Sequence, residues 1–398
     1  MHPERHNKPT IGLVLSTVPR YSETFFRNKI IGLQNNGFDV VLFVDYIEEG
    51  DLNFPCSIVA APDFGGNLLK LFLNSCSSII KSLFLHPKKS FKLYLLDKRD
   101  GLSFKKRMRN LIVNQFLLAK TIDWLHFGFG MLSNNRENVA QAIGAKMAVS
   151  FRGFDLYLSP LKHENCYDKL FLKDVKYHLL SQEMKEDLID NKISAYKIKV
   201  IPPAINIDFF QSKGNHTENK VVKIITIARL HWKKGIEYTL EAIHELKQNE
   251  INFHYTIIGD GSQLERLVFA AHQLGIQDCI TFTGKMSQVE VKKQLEESDV
   301  YLQYSIQEGF CNAVLEAQAM GLMCIVSNAE GLSENVLNGK TGWVVPKRQP
   351  KLLAQKIIEV INLSSNERES IRETAISRVR EEFNLQKQNK SFENFYEN

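Results

Sequence analysis

Residues 10–45, TIGLVLSTVPRYSETFFRNKIIGLQNNGFDVVLFVD, read as strand, turn, helix and strand, and that reading decides the fold. TIGLVLS is a short apolar run rich in β-formers, and PRYSET carries turn chemistry. FFRNKIIGLQNNG spaces its apolar residues for a helix that Gly37 stops. DVVLFV then returns as a second, nearly continuous apolar strand. Strands that are apolar on both faces, joined through a helix, call for a parallel sheet covered on both sides.

The same rhythm runs outward from this unit. CSIVAA, IDWLHF, AKMAVS, KYHLLS and KIKVIPP follow as strand-like runs. It restarts in VVKIITIAR, FHYTIIGDG, ITFTG, DVYLQYS, MCIVSN and GWVVP, with helical segments between them. Between the two series lies the polar stretch NIDFFQSKGNHTENK, which reads as a linker. The expectation is an α/β chain with two Rossmann-like, doubly wound domains, 1–205 and 206–375, and a terminal segment 376–398. A length of 398 residues agrees, at roughly 100–200 residues per domain. Ligands of such sheets bind at the carboxyl ends of the strands, so two sheets offer two ligand faces.

Composition narrows the class. With 44% apolar and 24% charged residues, the chain is neither disordered, nor collagen-like, nor a disulfide scaffold. A net charge of +5 is mild for this length and does not indicate a nucleic-acid binder. Cys56, Cys76, Cys166, Cys279, Cys311 and Cys324 are scattered without a C-x-x-C pair, which argues against zinc and for reduced thiols. MHPERHNKPT lacks an apolar signal core, and no window is apolar enough to span a membrane, so a cytoplasmic location is expected.

One region departs from the average. Residues 66–120 hold twelve Lys and Arg against only Asp97 and Asp100, a net +10 that leaves −5 for the rest of the chain. The cations alternate with LLKLFL, SIIKSLFL and FKLYLL. Such a stretch reads as an element attracted to an anionic membrane surface, at roughly 1 kcal/mol per cation close to the lipid. The bland alternative is a set of amphipathic helices with solvated lysines.

Three segments carry chemistry. In IARLHWKKG, 227–235, Arg229, Lys233 and Lys234 stand where a strand ends and a helix begins, a combination that attracts phosphate. IIGDGS, 257–262, resembles a dinucleotide fingerprint but has Leu264 at the third glycine position, so it reads as a tight strand-to-helix turn. EGFCNAVLE, 308–316, follows an apolar strand and opens a helix. There Glu308 would hold sugar hydroxyls, the N–H groups of Gly309, Phe310, Cys311 and Asn312 would receive a diphosphate, and Glu316 would accept from ribose. That order along one helix end suits a nucleotide-sugar.

In sequence order, IARLHWKKG, IIGDGSQLERL, FTGKMS, EGFCNAVLEAQAMG and AEGLSENVLNGKTGWVV resemble the motifs of the family-4 retaining nucleotide-sugar glycosyltransferases, which have the GT-B fold. LSTVPRYSETFFRNKI, IDWLHFGFG and SFRGFDLY are similar to the branch that makes bacterial surface polysaccharides such as colanic acid and O-antigen. The resemblance implies that Arg229 and Lys234 hold the donor diphosphate, Glu308 the donor sugar and Glu316 the ribose. It also implies that His126 approaches the transferred sugar, and that Ser22, Glu23, Thr24, Arg152 and Asp155 face the acceptor. Arg152-Gly153-Phe154-Asp155 stands where the family reads histidine-glycine-x-aspartate, so the role of that histidine has no counterpart here. Met323 replaces a usual proline, and Cys311 a usual glycine or proline.

The family further implies retention at the anomeric carbon, no metal or other cofactor, a saccharide or lipid-linked saccharide acceptor, and a terminal helix packing back on the first domain. The reading is then of a transferase peripheral to the inner face of the cytoplasmic membrane. The competing readings are a GT-B phosphorylase or nucleotide-sugar epimerase, and a non-catalytic polysaccharide- or nucleic-acid-binding scaffold. Retention of Arg229, Lys234, Glu308 and Glu316 argues against the scaffold.

Overall fold

The computed structural model describes residues 8–19, 24–47, 54–65, 68–211 and 221–397. Every run read as a strand forms one. The first sheet comprises β1 (Thr10–Leu15), β2 (Asp39–Val44), β3 (Ser57–Ala60), β4 (Trp124–Phe127), β5 (Lys146–Ser150), β6 (Val175–Leu179) and β7 (Ile198–Val200). The second comprises β8 (Val222–Ile227), β9 (Phe253–Ile258), β10 (Ile280–Gly284), β11 (Val300–Gln303), β12 (Met323–Ser327) and β13 (Trp343–Val345). Their orders are β3-β2-β1-β4-β5-β6-β7 and β10-β9-β8-β11-β12-β13, and the pairings are parallel. Each sheet reverses its winding beside its first strand, at β1/β4 and at β8/β11. Those reversals are the crevices where such sheets take ligands.

The chain divides into two compact units. The first is Met1–Leu179 with Lys185–Ile201 and Asn389–Asn398, and the second is Leu180–Met184 with Pro202–Gln388. The boundary therefore falls a few residues before 206, and the start of the supposed linker is packed structure. Phe210 is buried, and the Asn206 side chain accepts from the N–H groups of Asp208 and Phe209. The remainder of that stretch, 212–220, lies outside the described residues.

The terminal segment also differs from expectation. Helix Ser365–Glu382 stays with the second unit, where Arg378 donates to the carbonyls of Asn335 and Glu334, both at 2.8 Å. Only the last ten residues join the first unit. There Phe392, Phe395 and Tyr396 are buried in the β1/β4 core, and the Trp124 indole donates to the Tyr396 carbonyl at 2.9 Å.

Between β3 and β4 the basic region forms helices Leu68–Phe84, Pro87–Arg99 and Phe104–Leu118. Its two acids are turned inward. Buried Asp97 accepts from Asn110 and Asn138, both at 2.9 Å, and Asp100 accepts from Asn138 at 2.6 Å and pairs with Lys173. The cations are thereby left without carboxylates of their own segment on the outside.

Candidate active site

At the β8/β11 switch point the two strands pair only through Val300–Ile224 and Tyr301–Ile225 and then diverge. Side chains bridge the split: Thr226 Oγ1 donates to the Leu302 carbonyl at 2.8 Å. Beyond β8 the chain makes a single turn, Trp232–Lys234, closed by Gly235 at φ 59°. A Cβ at Gly235 would lie 2.3 Å from the Tyr304 carbonyl, so glycine lets the Lys234 turn press against the end of β11. The Lys233 carbonyl completes the join by accepting from Ile306 N–H at 2.7 Å.

This close approach brings Lys234 to Glu308, and the two form an ion pair in which both side chains are 12% exposed. Burial opposes the Lys234 charge, but the Glu308 carboxylate outweighs it and raises the ammonium pKa above its ordinary value. Ser305 Oγ lies 3.3 Å from the same carboxylate. Arg229 is exposed beside this pair, close enough for its charge to act on both lysines.

The loop carrying Glu308 is held by the loop after β12. Glu308 N–H donates to Glu330 at 2.9 Å, and Lys347 holds the other Glu330 oxygen at 3.2 Å. Gly331 N–H donates to the Glu308 carbonyl at 3.1 Å, and a Cβ at Gly331 would lie only 1.9 Å from the Gly309 carbonyl. Buried Asn335 then brackets Cys311, accepting from its N–H at 2.9 Å and donating to its carbonyl at 3.0 Å.

That bracket corrects one expectation. The Cys311 N–H already has a partner, so it is not a phosphate donor here, and burial pushes the Cys311 thiol up to about 12, which leaves it inert. Gly309 and Phe310 precede helix Asn312–Ala319, whose first N–H groups have no partner inside the helix. Glu316 lies on this helix, half-buried, and burial without a counter-charge raises its carboxyl pKa to about 7. In IIGDGS, Gly259 takes φ 142°, and a Cβ there would lie 1.9 Å from the Ala228 carbonyl. That glycine serves close packing beneath the Arg229 loop, as the turn reading expected.

In the first unit the structure corrects the role given to His126. The residue is fully buried, one position inside the end of β4. Its Nε2 lies 2.7 Å from Ser150 Oγ, which in turn lies 2.7 Å from His178 Nδ1, and its Nδ1 lies 2.5 Å from the Tyr396 hydroxyl. Burial lowers both histidine pKa values well below the ordinary range, so this is a neutral hydrogen-bonded chain within the core. His126 touches no open space and is no catalytic residue in this arrangement.

Asp155 is likewise buried, accepting from Arg152 N–H at 3.1 Å and Met131 N–H at 3.3 Å, with its pKa raised to about 6 by burial. It caps a helix start, turned away from solvent. Arg152 stacks on Phe25 at 4.1 Å, beside the start of the helix that Thr24 opens. Ser22 and Glu23 lie outside the described residues, as does the side chain of Thr24.

Sequence reasoning missed Glu330, Asn335 and Lys347. The first two stand in the quoted AEGLSENV motif, but their partners lie more than twenty positions away.

Two Rossmann-like units, each with a crevice at its switch point, form the GT-B fold. Residues 207–378 match the family model described as glycosyl transferases group 1; the chain carries that domain and is a glycosyltransferase. It is 27% identical over 362 residues to the amylovoran biosynthesis glycosyltransferase AmsK of Erwinia amylovora, covering 86% of this chain and 88% of that one. It is 25% identical to the putative colanic acid biosynthesis glycosyltransferase WcaL of Escherichia coli K12, over 94% of this chain and 96% of that one. In fold it is similar to a glycosyltransferase from Rickettsia africae, with TM-score 0.70, 19% identity and 98% coverage of both chains. It is also similar to Anabaena Alr3699/HepE in complex with UDP and glucose, with TM-score 0.72, 13% identity and coverage of 98% and 99%.

Proposed function

We propose that this chain transfers a sugar, with retention, from a nucleotide-diphosphate sugar to a lipid-linked saccharide during synthesis of a bacterial surface polysaccharide. The observation that carries this reading is the Lys234–Glu308 pair at the β8/β11 crevice, with Arg229 beside it and a helix start behind it. In that crevice Arg229, Lys234 and the helix N–H groups stabilise the charge that develops on the leaving diphosphate, so no metal is needed. Glu308 orients the donor sugar, and Glu316 accepts from ribose. The similarity to AmsK and WcaL supports the polysaccharide setting.

The lipid-linked acceptor is supported by the helix Leu68–Phe84, which is inverted. It buries Ser78 and Ser82 and exposes Phe72 at 64%, Ile80 at 56% and Phe84 at 78%. A helix covering a sheet does the opposite. Leu85, Phe91 and Phe104 continue the exposed apolar surface among the cations. No described helix is long and apolar enough to cross a membrane. A basic, apolar surface of this kind suits an anionic lipid face, which supports a reading of the enzyme as peripheral to the inner side of the cytoplasmic membrane.

The experiment is slow donor hydrolysis, in EDTA, across UDP-, GDP- and ADP-sugars, with Glu308→Ala and Arg229→Ala beside the native chain. Nucleotide release from one donor, lost in both variants, is expected. Release that requires added metal removes the metal-free mechanism, and the absence of both release and nucleotide binding removes the transferase reading.

A further inference from the structure

In the second sheet, the loops that follow four neighbouring strands each supply one charged residue to a single row. In the sheet order β8-β11-β12-β13, these are Lys234, Glu308, Glu330 and Lys347. Ion pairs close the two ends of the row, Lys234 with Glu308 and Glu330 with Lys347, the latter at 3.2 Å. The middle join is of another kind, because the Glu330 carboxylate accepts from the Glu308 backbone N–H at 2.9 Å. Gly331 N–H donates in turn to the Glu308 carbonyl at 3.1 Å, so residues 330 and 331 hold both backbone groups of residue 308. Both Glu330 oxygens are engaged, Oε2 by Glu308 and Oε1 by Lys347, and its side chain is only 16% exposed. Lys347 is itself fixed, its N–H donating at 2.8 Å to the side chain of Asn328, the first residue after β12.

The ion pair with Lys234 cannot by itself keep Glu308 in place during transfer. A lysine that turns to the donor diphosphate loosens its hold on Glu308, and Ser305 Oγ, at 3.3 Å, is then the side-chain contact left to that carboxylate. The bond from Glu330 goes to the backbone and survives the exchange. It also occupies the N–H group of Glu308 with a carboxylate, which repels a phosphate from that position. The diphosphate is thereby kept to the N–H groups further along the helix start, and the space before Glu308 is left to the sugar. Resting on the nucleotide-sugar reading above, we propose that Glu330, anchored by Lys347, is a positioning residue that holds Glu308 against the transferred sugar.

Two substitutions separate this role from general support of the fold. Glu330→Ala removes the acceptor, whereas Glu330→Gln keeps one for the same N–H. The ligands are the UDP-, GDP- or ADP-sugar that the native chain hydrolyses and its matching nucleoside diphosphate, titrated calorimetrically into the full chain. Glu330→Ala is expected to bind the nucleotide-sugar about tenfold more weakly, as the loss of one charge-assisted bond requires, and the nucleoside diphosphate as the native chain does. Glu330→Gln restores most of that affinity, and in a Glu308→Ala background Glu330→Ala has no further effect. Amide exchange read by mass spectrometry, without any donor, should quicken across 306–311 in Glu330→Ala and not in Glu330→Gln. Equal weakening of both ligands overturns the proposal, as does full additivity with Glu308→Ala or exchange that matches the native chain. A native chain that binds neither ligand removes the transferase reading beneath it, an outcome distinct from those confined to the variants.

Discussion

Lys234 and Glu308 meet from 74 positions apart, and their pairing sets both charges side by side in the crevice. Charge-assisted bonds are each worth about 1.5–3 kcal/mol, so Arg229→Ala or Lys234→Ala is expected to lower kcat/KM about 10–150-fold in steady-state donor kinetics. Native turnover in both variants would remove the diphosphate role. Glu316 makes a pH prediction. Its carboxyl, raised to about 7, is largely protonated in mild acid and can accept from both ribose hydroxyls at once only when ionised. Donor KM should therefore fall as pH rises through 7, and Glu316→Gln should flatten that profile. A profile identical in the two proteins would take Glu316 out of donor binding.

Among elements, the helix Leu68–Phe84 shows how far pattern reading reached. The sequence exposes its alternation of apolar and basic residues, but which face turns outward depends on what the helix covers. Exposed substitutions away from special features usually change stability by less than about 0.5 kcal/mol, so Phe72→Ser/Phe84→Ser should leave Tm unchanged. Sedimentation with anionic vesicles should nevertheless be lost. Co-sedimentation at the native level would show that the apolar face serves something other than lipid. The EGFCNAVLE loop was equally legible as a strand-to-helix turn. The capture of its Cys311 N–H was not, because Asn335 arrives from an element 24 residues on.

For the whole molecule, each unit has its own core, and the first is completed by the final residues of the chain. Burying Phe392, Phe395 and Tyr396 contributes roughly 1.5–3 kcal/mol apiece, together comparable to the whole stability of a domain. Deleting 389–398 is expected to abolish the cooperative unfolding of the first unit while the second still melts, as calorimetry would record. Tyr396→Phe, which removes only the hydroxyl bonded to His126, should cost about 1 kcal/mol in urea unfolding. A truncated chain that keeps both transitions would show that the first core closes without its tail.

Periodicity in the sequence determined the strands, the two sheets and the order of the motifs at the second switch point, because apolar spacing and turn residues act locally. Tertiary structure alone decided which groups remain available. His126 looked like a strand-end residue facing a ligand, yet strand alternation puts it on the face that Phe395 and Tyr396 cover from the far end of the chain. Cys311 lost its N–H to Asn335, and Asp97 and Asp100 turned inward beneath a cationic surface. In each case hydrogen-bond partners and burial come from residues distant in sequence, and pattern along one strand or helix holds no record of them.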